Sequence, residues 1–156
     1  MTDSTVYFRT GYTSKSFRRG LPGPNEDFNH HETMTAISVL CRILMSRNTN
    51  KRDPAIGGAA LLIRDLPRWE AEDIDFYYWH FATQALYQYD GPVGPYWRKW
   101  SEPLKVVLTQ NQNGEGCAAG SWTSDNERWG FDGGRVYAVA INSLTLSTYY
   151  GKPLIR

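Results

Sequence analysis

Hydrophobic residues recur at helical spacing in five stretches of the chain, whereas the alternation of apolar and polar positions that indicates strands is scarce. Asp53 followed by Pro54 is typical of a helix start. Pro67 and Gly91 are typical of residues that end helices. The predicted helices lie near residues 32–46, 54–66, 75–89, 96–112 and 135–150. We therefore predict an all-α fold.

Charged residues divide these helices into two kinds. Asp, Glu, Lys and Arg are absent from residues 33–41, 76–89 and 136–151, whereas the second and fourth predicted helices carry charges beside an apolar stripe. A helix without charges on any side is usually enclosed by protein, and a helix with one charged face lies against water. We therefore expect a double layer, with the first, third and fifth helices inside and the other two outside.

A short register recurs in the three uncharged helices. It is AISVL at Ala36–Leu40, ATQAL at Ala82–Leu86 and AINSL at Ala140–Leu144. Repeats of a few tens of residues are typical of arrays of helix hairpins. We predict that residues 32–156 form a helical repeat domain of about two and a half hairpins. The Gly- and Pro-rich residues 1–31 are predicted to be an irregular N-terminal arm.

Several segments after residue 33 resemble one known family. They are MTAISVLCRILM, DFYYWHFATQALYQYDG followed by YWRKW, LTQNQ leading into GSW, and GGRVYAVAINSLTLSTYY. These segments are similar to the α/α-toroid repeats of squalene and hopene cyclases and of protein prenyltransferase β subunits, a family that includes uncharacterised bacterial members. The resemblance implies a partial α/α toroid. It also implies a fold-stabilising role for Gln112 and for Gly120, Ser121 and Trp122, which resemble a Gln and Gly-x-Trp motif of the cyclases.

The catalytic residues of that family match this chain incompletely. Cyclases carry their acid in an Asp-x-Asp-Asp motif, and here Asp73 and Asp75 are followed by Phe76 in place of the third Asp. Prenyltransferases hold zinc with Asp, Cys and His. His80 lies on a helix that resembles their His-bearing helix, but no suitable Cys precedes it, since Cys41 is expected to be buried. The resemblance therefore implies a fold, and an enzymatic activity remains the alternative.

The third predicted helix carries the first candidate site. Tyr77, His80, Gln84 and Gln88 fall on one stripe of this helix, opposite a packing side that includes Trp79. In a structural interpretation the preceding acids cap the helix and the stripe faces a solvated concave surface. In a functional interpretation Asp73 or Asp75 is a general acid beside cation-stabilising aromatic rings, or the stripe binds a hydrophobic or sugar-like ligand.

A long loop, residues 113–134, is the second candidate site. It exceeds the usual length of a connection and contains Trp122 and Trp129, so it is a candidate for binding a partner or covering a ligand. A purely structural turn into the last helix is the alternative.

His30 and His31 lie near acidic residues but lack a complete ligand set, and we expect neither a metal site nor a cofactor.

Charge and hydropathy exclude several classes of partner. The 17 basic and 16 acidic residues give a net charge of +1, so we expect no binding to nucleic acid. No apolar run approaches the roughly 20 residues that span a bilayer, and the polar N-terminal sequence does not resemble a signal peptide. A soluble, cytoplasmic protein is the expectation. The two cysteines do not indicate a disulfide framework.

The predicted arc of helices would leave apolar edges exposed. We therefore expect the first or last helix to dock against another copy of the chain or another protein. The sequence favours a non-catalytic interaction or scaffold module. A terpenoid-cyclase-like or prenyltransferase-like enzyme and a binder of an isoprenoid or lipid are the alternatives.

Overall fold

A computed structural model of the chain describes residues 32–45, 54–71 and 73–151. This part of the chain contains five α-helices and no strand. The helices are α1 (Thr33–Met45), α2 (Pro54–Leu62), α3 (Phe76–Asp90), α4 (Pro95–Gln110) and α5 (Gly130–Ser147). The prediction of an all-α fold is thus confirmed. The predicted N-terminal arm, with His30 and His31, lies outside the described residues.

Helix α3 occupies the centre of the fold and packs against the other four helices. Its buried aromatic side chains meet edge to face: the ring centroids of Phe76 and Trp79 are 5.5 Å apart, and those of Tyr78 and Trp100 in α4 are 5.6 Å apart. Such arrangements stabilise a core beyond the burial of apolar area alone. The prediction that the uncharged third helix is enclosed by protein is confirmed.

Helix α1 is buried on one face only. Ala36, Val39 and Leu40 pack into the core, and a side chain at Gly58 of α2 would collide with Val39, so α1 and α2 approach closely there. The opposite face of α1 is exposed and includes Cys41. The expectation that Cys41 is buried was wrong, because an apolar run does not reveal which of its sides meets a neighbour.

Helix α4 has the two-sided character that its sequence predicts. Trp97, Trp100, Leu104 and Leu108 are buried, while the charged positions between them are exposed. The preceding Asp90 caps this helix, since its two carboxylate oxygens accept hydrogen bonds from the backbone N–H groups of Tyr96 at 2.8 Å and Trp97 at 3.0 Å.

Helix α5 departs from the predicted inner layer. It packs on α3 through a face that includes Ala138, Asn142 and Thr145, while Val136 is 83% exposed. The expectation that this helix is enclosed was wrong. The side of α5 that points away from α3 carries no charge, but no other described element covers it. Gly134, with φ of 59° and ψ of −164°, separates the first turn from the continuous helix, which matches the predicted start near residue 135.

No helix in the described parts of the chain combines the length and hydropathy needed to cross a membrane.

Candidate functional site

The predicted polar stripe of α3 lies mainly against α5 rather than against solvent. The Nδ1 atom of His80 is 3.0 Å from the Oγ1 atom of Thr145, and the Gln84 side-chain amide donates a hydrogen bond of 2.8 Å to Thr148 Oγ1. His80 and Gln84 are both buried. The interpretation of a solvated stripe was therefore wrong at these two positions, because α5 covers them. Their contacts join α3 to the C-terminal end of α5.

The hydrogen bonds of Thr145 determine which nitrogen of His80 carries the proton. Thr145 donates its hydroxyl proton to the carbonyl of Ile141 at 2.7 Å, so it accepts a hydrogen bond from His80 Nδ1–H. Burial lowers the pKa of His80 from 6.5 to about 4. The imidazole is therefore neutral at pH 7 and serves as a structural donor.

Two amide side chains in the same α3–α5 contact are incompletely hydrogen-bonded. Within the described structure, Gln84 Oε1 and both amide atoms of Asn142 have no hydrogen-bond partner, although each residue is only 1% exposed. Unsatisfied buried amides are uncommon because they lose their hydration without compensation. The contact between α3 and α5 is thus less favourable than its buried area suggests.

The two candidate acids at the start of α3 have structural partners. Asp75 is the N-cap: its Oδ1 atom accepts a hydrogen bond of 2.8 Å from the backbone of Tyr78, and its Oδ2 atom is 3.9 Å from Arg128 Nε. Asp73 forms an ion pair of 2.9 Å with Arg68. The capping interpretation is confirmed for Asp75, whereas Asp73 pairs with a cation instead.

Glu127, in the long loop, holds that loop against the start of α3. This residue is 6% exposed, and its carboxylate accepts hydrogen bonds from the backbone N–H groups of Phe76 at 3.2 Å and Trp129 at 2.8 Å. The backbone N–H of Arg128 also donates to the carbonyl of Ile74 at 3.0 Å. Sequence reasoning missed Glu127, because its partner Phe76 lies 51 positions earlier in the chain.

The loop and the first turn of α5 line an open pocket next to α3. The cavity measures about 430 Å³. It is lined by Tyr77 of α3, Trp129 of the loop, and Asp132, Gly133 and Tyr137 of α5. The Tyr77 and Trp129 rings meet edge to face, with centroids 5.9 Å apart and planes at 61°. Three aromatic side chains and one carboxylate therefore converge on a single cavity.

The predicted site residues divide between this pocket and the supporting structure. Tyr77 and Trp129 line the pocket, His80 and Gln84 lie in the α3–α5 contact, and Gln88 is half-buried farther along α3. The sequence missed Asp132 and Tyr137. The local signal for them was an acid directly before two glycines and an aromatic residue three positions after the second glycine.

Trp122 has a structural position away from the pocket. Its indole N–H donates a hydrogen bond of 2.8 Å to the carbonyl of Leu108 near the end of α4, and the ring is buried. Gln112 instead donates to the carbonyl of Gly120 within the loop, at 2.8 Å. Both contacts stabilise the connection after α4. The backbone carbonyl near the end of this helix receives its hydrogen bond from Trp122 and not from Gln112.

No group of acidic, histidine or cysteine side chains that could hold a metal ion occurs among the residues that the structure describes. Comparisons with protein-family models, with curated proteins and with solved structures found no match. The resemblance to α/α-toroid proteins therefore stays a prediction.

Proposed function

We propose that this protein is a non-catalytic interaction module that associates with a second copy of itself through the exposed side of α5. We call this surface the α5 face and define it by Phe131, Val136, Ala140, Leu144 and Tyr150. Phe131, Val136 and Tyr150 are each more than 80% exposed, and Leu144 is 41% exposed. Phe131 precedes the break at Gly134 and Tyr150 follows the end of α5, so this apolar surface extends past both ends of the continuous helix. Exposed apolar surface of this extent is typical of a binding surface.

The self-complementarity of the α5 face is the observation that carries the proposal. Val136, Ala140 and Leu144 are four residues apart and form one ridge along the helix. In an antiparallel pair that crosses at Ala140, Val136 of one copy would lie beside Leu144 of the other. A two-fold interface requires this reciprocal pairing, and the small Ala140 side chain allows close approach.

The lack of charge supports association with an identical surface. No Asp, Glu, Lys or Arg occurs from Val136 to Gly151, so two copies would meet along this segment without electrostatic repulsion or the burial of an unpaired charge. A single helix pair lies at the small end of stable interfaces, and we expect a dissociation constant in the micromolar range.

The contacts of the two candidate acids support a non-catalytic assignment. Asp75 is engaged as a helix cap, and Asp73 is paired with Arg68. A general acid must reach the substrate atom that it protonates, whereas oxygens of both carboxylates are engaged by contacts within the fold. The cyclase-like alternative depends on these two residues and is therefore less well supported.

Sedimentation equilibrium over the micromolar concentration range tests the proposal. We expect the full chain to change from monomer to dimer, and the Val136→Arg variant to remain a monomer because it places a charge at the interface. Val106→Arg on α4 is the matched control, since Val106 is also an exposed helical valine but lies outside the α5 face. A wild-type chain that stays monomeric, or equal effects of the two variants, would refute the proposal.

A further inference from the structure

The pocket between α3, the loop and α5 has a composition that the proposed self-association does not explain. Tyr77, Trp129 and Tyr137 supply aromatic walls, and Asp132 supplies a negative charge at the same cavity. The face of an aromatic ring carries partial negative charge, which attracts a cation placed over it. All four side chains therefore favour the same kind of ligand, one that is positively charged and also partly apolar.

We propose that this pocket binds an organic cation whose charge is spread over methyl groups, that is, a quaternary or methylated ammonium group. Such a group contacts aromatic faces through its methyl groups without losing a tightly held hydration shell. The carboxylate of Asp132 supplies the counter-charge. A trimethylammonium head and the methylated side chain of a lysine share this chemistry, and both are candidate sources of the ligand.

Neutral ligands and metal ions fit the pocket less well. A neutral apolar molecule would bury Asp132 against a group that cannot compensate its lost hydration. A metal ion requires several oxygen, nitrogen or sulfur ligands, whereas Asp132 is the single carboxylate among the described residues that line this cavity. The volume of about 430 Å³ lies within the range of small-molecule sites, so it accommodates a methylated head together with part of a tail.

The walls of the pocket are held in place by contacts with neighbouring residues. Glu127 fixes the backbone of Trp129 through a hydrogen bond of 2.8 Å. Tyr137 packs directly on Gly133, where an added Cβ atom would come within 2.5 Å of the Tyr137 side chain. Tyr77 also stacks edge to face on Phe81, with centroids 4.8 Å apart. Aromatic walls that are ordered before the ligand arrives reduce the entropy lost on binding.

Calorimetric titration with three small molecules tests the chemistry of the site. Choline carries a trimethylammonium group, 3,3-dimethylbutan-1-ol has the same shape without charge, and ethanolamine has a charge without methyl groups. We expect choline to bind at least roughly fivefold more tightly than either of the others, in line with the usual strength of cation–π contacts. Equal binding of choline and the neutral alcohol would overturn the proposal, as would no detectable binding of any methylated ammonium probe.

Two matched variants locate the binding. Asp132→Asn removes the charge of the pocket with little change in shape, and we expect it to weaken the binding of choline by roughly fivefold. Asp125→Asn removes another exposed charge, from the loop before α5, without touching the pocket, and we expect unchanged binding. Circular dichroism should show that both variants keep the fold. An equal affinity of both variants for choline would place the site elsewhere and overturn the assignment.

A further titration identifies the source of the cation. A short peptide containing trimethyl-lysine is compared with the same peptide containing unmodified lysine, and with choline. Tighter binding of the methylated peptide than of choline would indicate a modified protein as the partner, and the reverse would indicate a small metabolite. Either result supports a methylammonium site, whereas failure of the methylated peptide and choline to compete with one another would contradict it.

Discussion

Burial between α3 and α5 makes His80 a source of pH-dependent stability. Its pKa in the folded chain is about 4, whereas the ordinary value is 6.5. Between these two values the unfolded chain binds a proton that the folded chain does not, so lowering the pH favours unfolding. We expect the free energy of unfolding to fall by about 2 kcal/mol from this residue as the pH is lowered from 7 to 5. Above pH 7 this residue should contribute no pH dependence.

The His80→Gln variant separates this effect from other titrating groups. Urea unfolding of both proteins at pH 7, 6 and 5 would give their stability difference at each pH. Because glutamine does not titrate, we expect the variant to lose about 2 kcal/mol less than the wild type over this range. Parallel stability profiles for the two proteins would mean that His80 is not held neutral in the fold.

Asn142 is a second residue whose burial carries a cost. It is 1% exposed, and its amide atoms have no hydrogen-bond partner in the described structure. Because an unsatisfied buried polar group costs about 1–3 kcal/mol, replacing this residue by a similarly sized apolar one should remove that cost. We expect Asn142→Leu to raise the free energy of unfolding by about 1 kcal/mol in thermal or urea unfolding.

The next position along the helix provides the control for Asn142. Ser143 is a polar residue that is exposed on α5, so Ser143→Leu introduces the same side chain without burying it. We expect this variant to change the stability of the monomer by less than about 0.5 kcal/mol. Both unfolding measurements should be made at low protein concentration, where association through α5 does not contribute to the measured stability. A loss of stability in Asn142→Leu would show that the amide has partners, such as an internal water, that stabilise it.

At the scale of elements, Glu127 is the residue that joins the long loop to α3. Its carboxylate accepts hydrogen bonds from the backbone of Phe76 and from that of Trp129. In Glu127→Gln one acceptor oxygen becomes an N–H₂ group that faces a backbone donor. We expect this change to lower the free energy of unfolding by about 1–3 kcal/mol, because a buried donor loses its partner.

A glutamate in the same loop serves as the comparison. Glu115 is exposed, so Glu115→Gln should leave the unfolding midpoint nearly unchanged. Hydrogen exchange of the Trp129 backbone amide, which donates to Glu127, provides a local readout, since the loop should become more mobile in the Glu127 variant before the core unfolds. Similar midpoints for the two variants would show that the loop is held by other contacts.

The elements differ in how well their sequences predict them. The bounds of α3 and α4 follow from local signals, such as the Asp75 cap and the run of aromatic and apolar residues, which act within a few positions of each other. The exposed side of α5 was not predictable in this way. An absence of charge is compatible with burial and with an uncharged surface, and only the packing of the whole chain decides between them.

The pocket depended even more on long-range packing. The sequence predicts Tyr77 as part of a helical stripe and Trp129 as part of a long loop. Their meeting with Asp132 and Tyr137 depends on the path of a loop that is anchored through Glu127. The path of the loop does not follow from the spacing of hydrophobic residues. The sequence therefore indicated two residues that line the cavity, but not the cavity itself.

At the scale of the whole molecule, the central position of α3 predicts how the protein opens. Helix α3 packs against all four other helices, whereas the contacts of α5 are concentrated on α3. Exchange of a backbone amide in α3 therefore requires disruption of the entire core, and exchange in α5 requires only its separation from one neighbour. The incomplete hydrogen bonding of Gln84 and Asn142 in that contact lowers the cost of the separation further.

Native-state hydrogen exchange tests this order of opening. We expect amides in the middle of α3, near Ala82 and Ala85, to exchange only through global unfolding. Amides of α5 should exchange at least tenfold faster at low protein concentration, because a separation of α5 that costs about 1.4 kcal/mol less than global unfolding is enough to produce this difference. Association through the α5 face would slow the exchange of α5 as the protein concentration rises. Slower exchange in α5 than in α3 under dilute conditions would mean that the last helix, and not the third, is the most stable part of the fold.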